Sequence, residues 1–153
     1  MRVKILSLLA AVALVAACES AGPAGGDASG AKNIVPGSAE DLRVNVGDRV
    51  FFGYDRYDLT PEAQATLERQ VKWLKQYSSV KVTIEGHCDE RGTREYNLAL
   101  GARRAEAVKR FLAAKGVEKV RVNVISYGKE RPEAMGSGEA VWQQNRRGVT
   151  AVN

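Results

Sequence analysis

Residues 84–104 read IEGHCDERGTREYNLALGARR, and an acid, an amide and a base stand there at separations that can gather them at one spot. Asp89 follows an alternating apolar run over residues 80–86 and lies in a loop broken by Gly92, so its carboxylate is expected just beyond a strand end. Asn97, Leu100 and Arg104 fall at i, i+3 and i+7 of a helix that starts near Thr93, which puts them on one helix face. A carboxylate, an amide, a guanidinium and an apolar floor then converge on a shallow site. That set suits a zwitterionic ligand: Asp89 would receive an ammonium group, and Arg104 would hold a carboxylate with its planar fork of N–H donors. The competing reading is a structural salt bridge between Asp89 and Arg104. Neither arrangement is hydrolytic, because a general acid needs a raised pKa and a neighbouring arginine lowers that of a carboxylate.

The elements that must position this block are legible on either side of it. Val50 and Phe52 alternate into Gly53 as a short first strand. Thr60–Pro61–Glu62 supplies a hydroxyl N-cap, a proline at the first helical position and an acid in the first turn. Leu67, Val71 and Leu74 give that helix its buried stripe, and Val80, Val82 and Ile84 mark the second strand. The second helix is expected to bury Leu98, Gly101, Ala105, Val108 and Leu112 and to stop at Gly116. Val120, Val122 and Val124 make a third strand. After a loop rich in Gly, Pro and Glu, residues 145–153 supply a helical remnant and a last strand. The expected fold is α+β, a β-α-β-α-β-β sandwich with two main helices on one face of a four-stranded mixed sheet, occupying residues 45–153.

The block from Asn97 to Ala105, preceded by Asp89, resembles the NxxLxxxRA signature of the OmpA-like domain family, shared by peptidoglycan-associated lipoproteins and the C-terminal part of outer-membrane protein A. The resemblance extends to Phe52–Gly53–Tyr54–Asp55, to Ser126–Tyr127–Gly128–Lys129–Glu130 and to Asn145–Arg146–Arg147, and so covers the chain from about residue 50 to its end. It implies that Asp89 and Arg104 bind the diaminopimelate of peptidoglycan, on a surface shared with Asn97 and Leu100. It also implies that the Tyr54–Asp55 loop offers backbone N–H groups to a ligand carboxylate. No catalytic residue, metal or cofactor comes with it. The implied function is a non-covalent link between outer membrane and cell wall within the Tol-Pal system, which serves envelope integrity and cell division. TolB would be a partner at the rim around residues 85–94 and Tyr96, excluding the wall when bound. A wall-acting enzyme and an accessory anchor domain are the alternatives. The Arg146–Arg147 pair reads as a solvated or salt-bridged feature outside the site.

Residues 1–17 read as a secretory signal, with Arg2 and Lys4 ahead of an apolar core over residues 5–17. That core is short of the roughly 20 residues that span a bilayer. It ends in Leu14–Val15–Ala16–Ala17–Cys18, which looks like a bacterial lipobox, so Cys18 is expected to become the lipidated first residue. Several acyl chains, each contributing about 0.8 kcal/mol per buried CH₂, hold a protein on a membrane where one chain would not. By resemblance to enteric lipoproteins, Glu19 directs the anchor to the outer membrane, with the head in the periplasm. Residues 18–44 are then a flexible linker of small and polar residues.

Loss of residues 1–17 lowers the formal net charge from +5 to +3, and the remaining bases are interspersed with acids. Nucleic acid is therefore not an expected partner. His87 and Cys88 are adjacent on a strand and should point to opposite faces, which disfavours a catalytic dyad, and two ligands are too few for zinc. Cys88 is expected as a small part-buried residue and His87 as a packing or rim residue.

Overall fold

The computed structural model describes residues 33–153, and its strands and helices follow from short local signals. In helix α2 (Pro61–Gln76) the Thr60 hydroxyl accepts from the Ala63 N–H and Pro61 fills the first position, where no N–H is needed. Helix α3 (Arg94–Ala114) starts the same way, with the Thr93 hydroxyl accepting from the Tyr96 N–H. It ends where Gly116 takes a φ of +94°, a left-handed conformation that glycine reaches without a Cβ penalty. Strands β1 (Arg49–Phe51), β2 (Val82–His87), β3 (Val122–Gly128) and β4 (Arg147–Val152) form one sheet in the order β1-β4-β2-β3. β2 and β3 run parallel, joined through α3, while β4 pairs antiparallel with both β1 and β2. The last strand thus wedges between the first two, and it carries residues from the far end of the chain to the end of β2.

Both long helices pack on one face of this mixed sheet, as expected. Val50, Phe52, Leu67, Leu74, Val82, Ile84, Ala105, Val108 and Leu112 are buried in one cluster. Each large member contributes about 1.5–3 kcal/mol of hydrophobic stabilisation. The α3–β2 contact is closer than side chains allow elsewhere. A Cβ placed on Gly86 would lie 1.8 Å from the Gly101 carbonyl oxygen, and one on Gly101 would lie 2.3 Å from Ser126 Oγ. Two glycines therefore set the height of α3 above the sheet.

The structure differs from the sequence expectations in four places. The folded unit begins ahead of residue 45: Ser38 caps a helical turn, α1 (Ala39–Asp41), which continues as a π-helical turn over Leu42–Val46. Leu42 is in the core, and the Asp41 carboxylate accepts from the Trp73 indole N–H at 2.8 Å, a pairing across 32 residues that no local pattern announces. A further helix, α4 (Glu139–Asn145), fills what was expected as loop before the last strand. Val120 is exposed in a 3₁₀ turn rather than paired, and Val124 is half exposed because β3 is an edge strand. Leu98 is only half buried; Ala107 takes a place on the buried face instead. The expected signal segment, Cys18 and residues 18–32 of the linker lie outside the described residues.

Candidate functional site

The loop after β1, the loop after β2 and the first half of α3 meet at one end of the sheet, around a pocket of about 180 Å³. Its lining includes Tyr54, Asp55, Asp89, Asn97, Leu100 and Arg104, so all six residues singled out from the sequence come together. Asn97 is held in place by donating from its Nδ2 to the Arg91 and Thr93 carbonyls, at 2.8 and 3.0 Å, which ties the loop to the first turn of α3. Asp55 adopts φ +55°, a left-handed turn conformation that aspartate tolerates better than most residues, and its carboxylate accepts from the Tyr96 hydroxyl.

Arg104 is fully buried and works as a staple. Its Nε donates to the Arg56 carbonyl at 2.8 Å, Nη1 to the His87 carbonyl at 2.8 Å and Nη2 to the Gly53 carbonyl at 3.0 Å. Helix α3 is thereby fastened both to the loop after β1 and to the end of β2. These bonds use one N–H on each nitrogen, and the pocket-lining guanidinium keeps a second N–H on Nη1 and on Nη2. Burial pushes its pKa down, opposed by the nearby Cys88 and the Asp89 and Asp55 carboxylates. The expected free fork is thus a fork already half committed to backbone.

Asp89 is 4 % exposed, not the open loop carboxylate that its position suggests. Its ion-pair partners are Arg91 and Arg146, not Arg104: Arg91 Nη2 lies 2.6 Å and Arg146 Nη1 3.4 Å from Oδ2. Oδ1 also accepts from the backbone N–H and Nε of Arg91, both at 3.1 Å. Burial opposes the charged form, but these hydrogen bonds outweigh it and hold the carboxyl below its ordinary pKa. A carboxylate so stabilised is a cation receptor and a poor proton donor.

Arg146 is salt-bridged, as one reading of the Arg146–Arg147 pair has it, and it stands behind the pocket lining with Asp89 as a partner. It is buried, its Nε donates to the Phe52 carbonyl at 3.0 Å, and it also pairs with Glu139 at the start of α4. Arg91 and Trp142 are the other residues that sequence reasoning passed over. The Arg91 guanidinium is sandwiched between the Tyr54 ring, 4.0 Å to its centroid, and the Trp142 ring at 3.9 Å. Trp142 is positioned by Glu90, which accepts from its indole N–H at 2.9 Å and from Ser137 Oγ at 2.5 Å.

His87 and Cys88 do face opposite ways. Cys88 Sγ donates to the Asn97 carbonyl under α3, and burial pushes its thiol up to about 11, so it is inert at neutral pH. His87 is fully buried on the far face, not at a rim, beside Tyr127 and Glu85. Glu85 accordingly stands away from the pocket rim. Burial, and then the Arg147 charge, lower the His87 pKa below 6.5, against the opposing pull of Glu85. The unfolded chain then takes up the proton first, so this contribution to stability is complete above about pH 6.5 and is lost as pH falls toward the folded-state pKa. This is the chain's single histidine. Urea unfolding between pH 7 and pH 5 should show a loss of stability that His87→Phe abolishes; an equal slope in the variant would assign it elsewhere.

The profile of the OmpA family matches residues 51–146, a span that contains every residue of the pocket. The chain belongs to the OmpA family. Among its curated relatives, the peptidoglycan-associated lipoprotein of Mesorhizobium japonicum is 54 % identical over 82 % of this chain and 74 % of its own length. That of Haemophilus influenzae is 42 % identical over 97 % of both chains. The crystal structure of the peptidoglycan-associated lipoprotein from Burkholderia pseudomallei superposes with a TM-score of 0.67 at 43 % identity, covering 69 % of this chain and 90 % of that one. The OmpA-family span starts at residue 51, within β1, so of the Asp41–Trp73 pair only Trp73 lies inside it.

Proposed function

We propose that this chain is a non-catalytic envelope anchor: lipidated at Cys18, held at the outer membrane, and binding peptidoglycan through the diaminopimelate of its stem peptides. The observation that carries the reading is the pocket itself. A buried, strongly ionised carboxylate (Asp89) and a buried guanidinium with N–H groups to spare (Arg104) face one space beside an apolar floor (Leu100). An ammonium and a carboxylate on one carbon match the two charges, and the lowered Asp89 pKa argues against acid catalysis there. Kinship with proteins named for association with peptidoglycan supports the choice of ligand.

Diaminopimelate differs from lysine by a carboxylate on the far carbon. A lysine stem peptide leaves the pocket's carboxylate donors unpaired. Hydrogen bonds to charged groups contribute about 1.5–3 kcal/mol each, so at least a tenfold weaker complex is expected. Calorimetry with muropeptides matched except at this position is the test, and equal affinities would remove the site from the mechanism. TolB would dock on the rim carried by residues 89–94 and Tyr96, where Glu90, Arg94 and Tyr96 are exposed, and would therefore compete with the wall. A ternary complex of the head, TolB and a muropeptide in native mass spectrometry would defeat that overlap. Labelled fatty acid that fails to enter the protein in cells would defeat the lipid anchor at Cys18.

A further inference from the structure

Arg91 already occupies the carboxylate that the incoming ammonium needs. Three of its N–H groups, on the backbone, Nε and Nη2, are on Asp89, at 3.1, 3.1 and 2.6 Å. Its side chain keeps 29 % of its surface exposed at the pocket mouth, whereas that of Arg146, the other cation on Asp89, keeps 5 %. Arg104 is fully buried and fixed by three backbone carbonyls. Of the three arginines around this carboxylate, Arg91 is therefore the most exposed, and its guanidinium lacks the bonds to backbone carbonyls that fix Arg104 and Arg146. The rings of Tyr54 and Trp142 on either side give it a place to stay when it leaves Asp89.

From this geometry we infer that Arg91 is a specificity-determining residue: the ligand binds by partner exchange, its ammonium taking Asp89 from Arg91 and its carboxylate receiving the displaced guanidinium. The inference rests on the zwitterion-binding reading of the pocket and adds to it a reason for the preference. The four charges that line the pocket, Asp55, Asp89, Arg91 and Arg104, balance one another. A zwitterion enters without upsetting that balance and re-pairs the displaced cation at once. An ammonium group alone evicts Arg91, offers it nothing and leaves the enclosed site with a surplus positive charge. Arg91 thus acts against amine-only ligands as well as for zwitterions, the two halves of a specificity device.

The test is Arg91→Gln, measured by calorimetry with diaminopimelate and lysine muropeptides. In the unaltered protein the diaminopimelate ligand should bind at least tenfold more tightly. In Arg91→Gln that ratio should shrink to about threefold or less, through a gain for the lysine ligand and a loss for the diaminopimelate ligand. Arg91→Lys, which keeps a mobile cation, should restore most of the preference. Binding should also change Trp142 fluorescence in the unaltered protein, a signal absent from Trp142→Phe and strongly reduced in Arg91→Gln. An undiminished preference in a folded Arg91→Gln variant would overturn the exchange while leaving the site reading intact. No preference in the unaltered protein would overturn both, and so would full binding by Asp89→Asn.

Discussion

Arg104→Ala is expected to abolish ligand binding and to lower the stability of the head by at least about 3 kcal/mol, equivalent to a fall in Tm of roughly 10 °C or more. The reason lies in where its N–H groups go. They meet the carbonyls of Gly53, Arg56 and His87, two of them in the loop after β1 and one at the end of β2. Truncation takes a donor from each of three carbonyls, leaving that of Gly53 with only the long bond from the Arg56 N–H at 3.3 Å, beside a cavity the size of an arginine side chain. It also leaves Asp89 with Arg91 and Arg146 but without the third positive charge that faces it. Arg104→Lys is the sharper variant. An ammonium group on a flexible stem keeps the charge but cannot present the planar spread of donors that reaches three carbonyls from one point. It should retain a folded head, with part of the stability loss, and bind diaminopimelate muropeptides at least tenfold more weakly. Thermal unfolding and calorimetry on the same samples separate the two effects. Unchanged binding by Arg104→Lys would show that the guanidinium serves the scaffold alone.

The role of Arg104 as a staple was hidden from the sequence for a reason that also explains the other misses. What the sequence made legible was local. Asp89, Asn97, Leu100 and Arg104 belong to one strand–loop–helix stretch, so their convergence follows from the periods of strand and helix alone. Tyr54 and Asp55 joined them through the family resemblance, on the loop that follows the first strand. Arg91 was within reach of the same reasoning, since an arginine two residues after an aspartate in a turn closed by glycine can fold back on it. Arg146 and Trp142 were out of reach. Arg146 is brought to Asp89, and Trp142 to Arg91, because β4 inserts between β1 and β2, a topological fact that no spacing encodes. The early start of the fold was missed for the same reason, because Asp41 gains its buried partners from Trp73 on another element. Physical chemistry at short range sets the elements; the sheet order decides which charges they share.

Gly86→Ala is expected to be the most damaging single-methyl change in the head, whereas Gly148→Ala, one strand away, should cost almost nothing. The added carbon at residue 86 would sit 1.8 Å from the Gly101 carbonyl oxygen and 2.5 Å from its carbonyl carbon. Those are backbone atoms in the middle of α3, which no rotamer change can move aside. Helix α3 must therefore rise from the sheet. That breaks the Ser126 hydroxyl bond to the Leu98 carbonyl and pulls Arg104 away from the His87 carbonyl next to residue 86. Overpacking in a well-filled core costs about 1–3 kcal/mol where side chains can give, so a clash with fixed backbone should exceed about 3 kcal/mol. At Gly148 the new carbon meets Phe52, Val108 and Val50 at 3.5 to 3.6 Å, ordinary van der Waals contact. There the reduced freedom of the unfolded chain should offset any strain, leaving stability unchanged or higher by up to about 1 kcal/mol. Urea unfolding of the two variants gives the comparison, and muropeptide calorimetry extends it to function. A folded Gly86→Ala head should bind far more weakly although the mutation touches no pocket residue, because the pocket exists only while α3 lies this close to β2. If Gly86→Ala unfolds within about 1 kcal/mol of the unaltered protein, the close approach of α3 does not set the site, and the geometry derived from it fails.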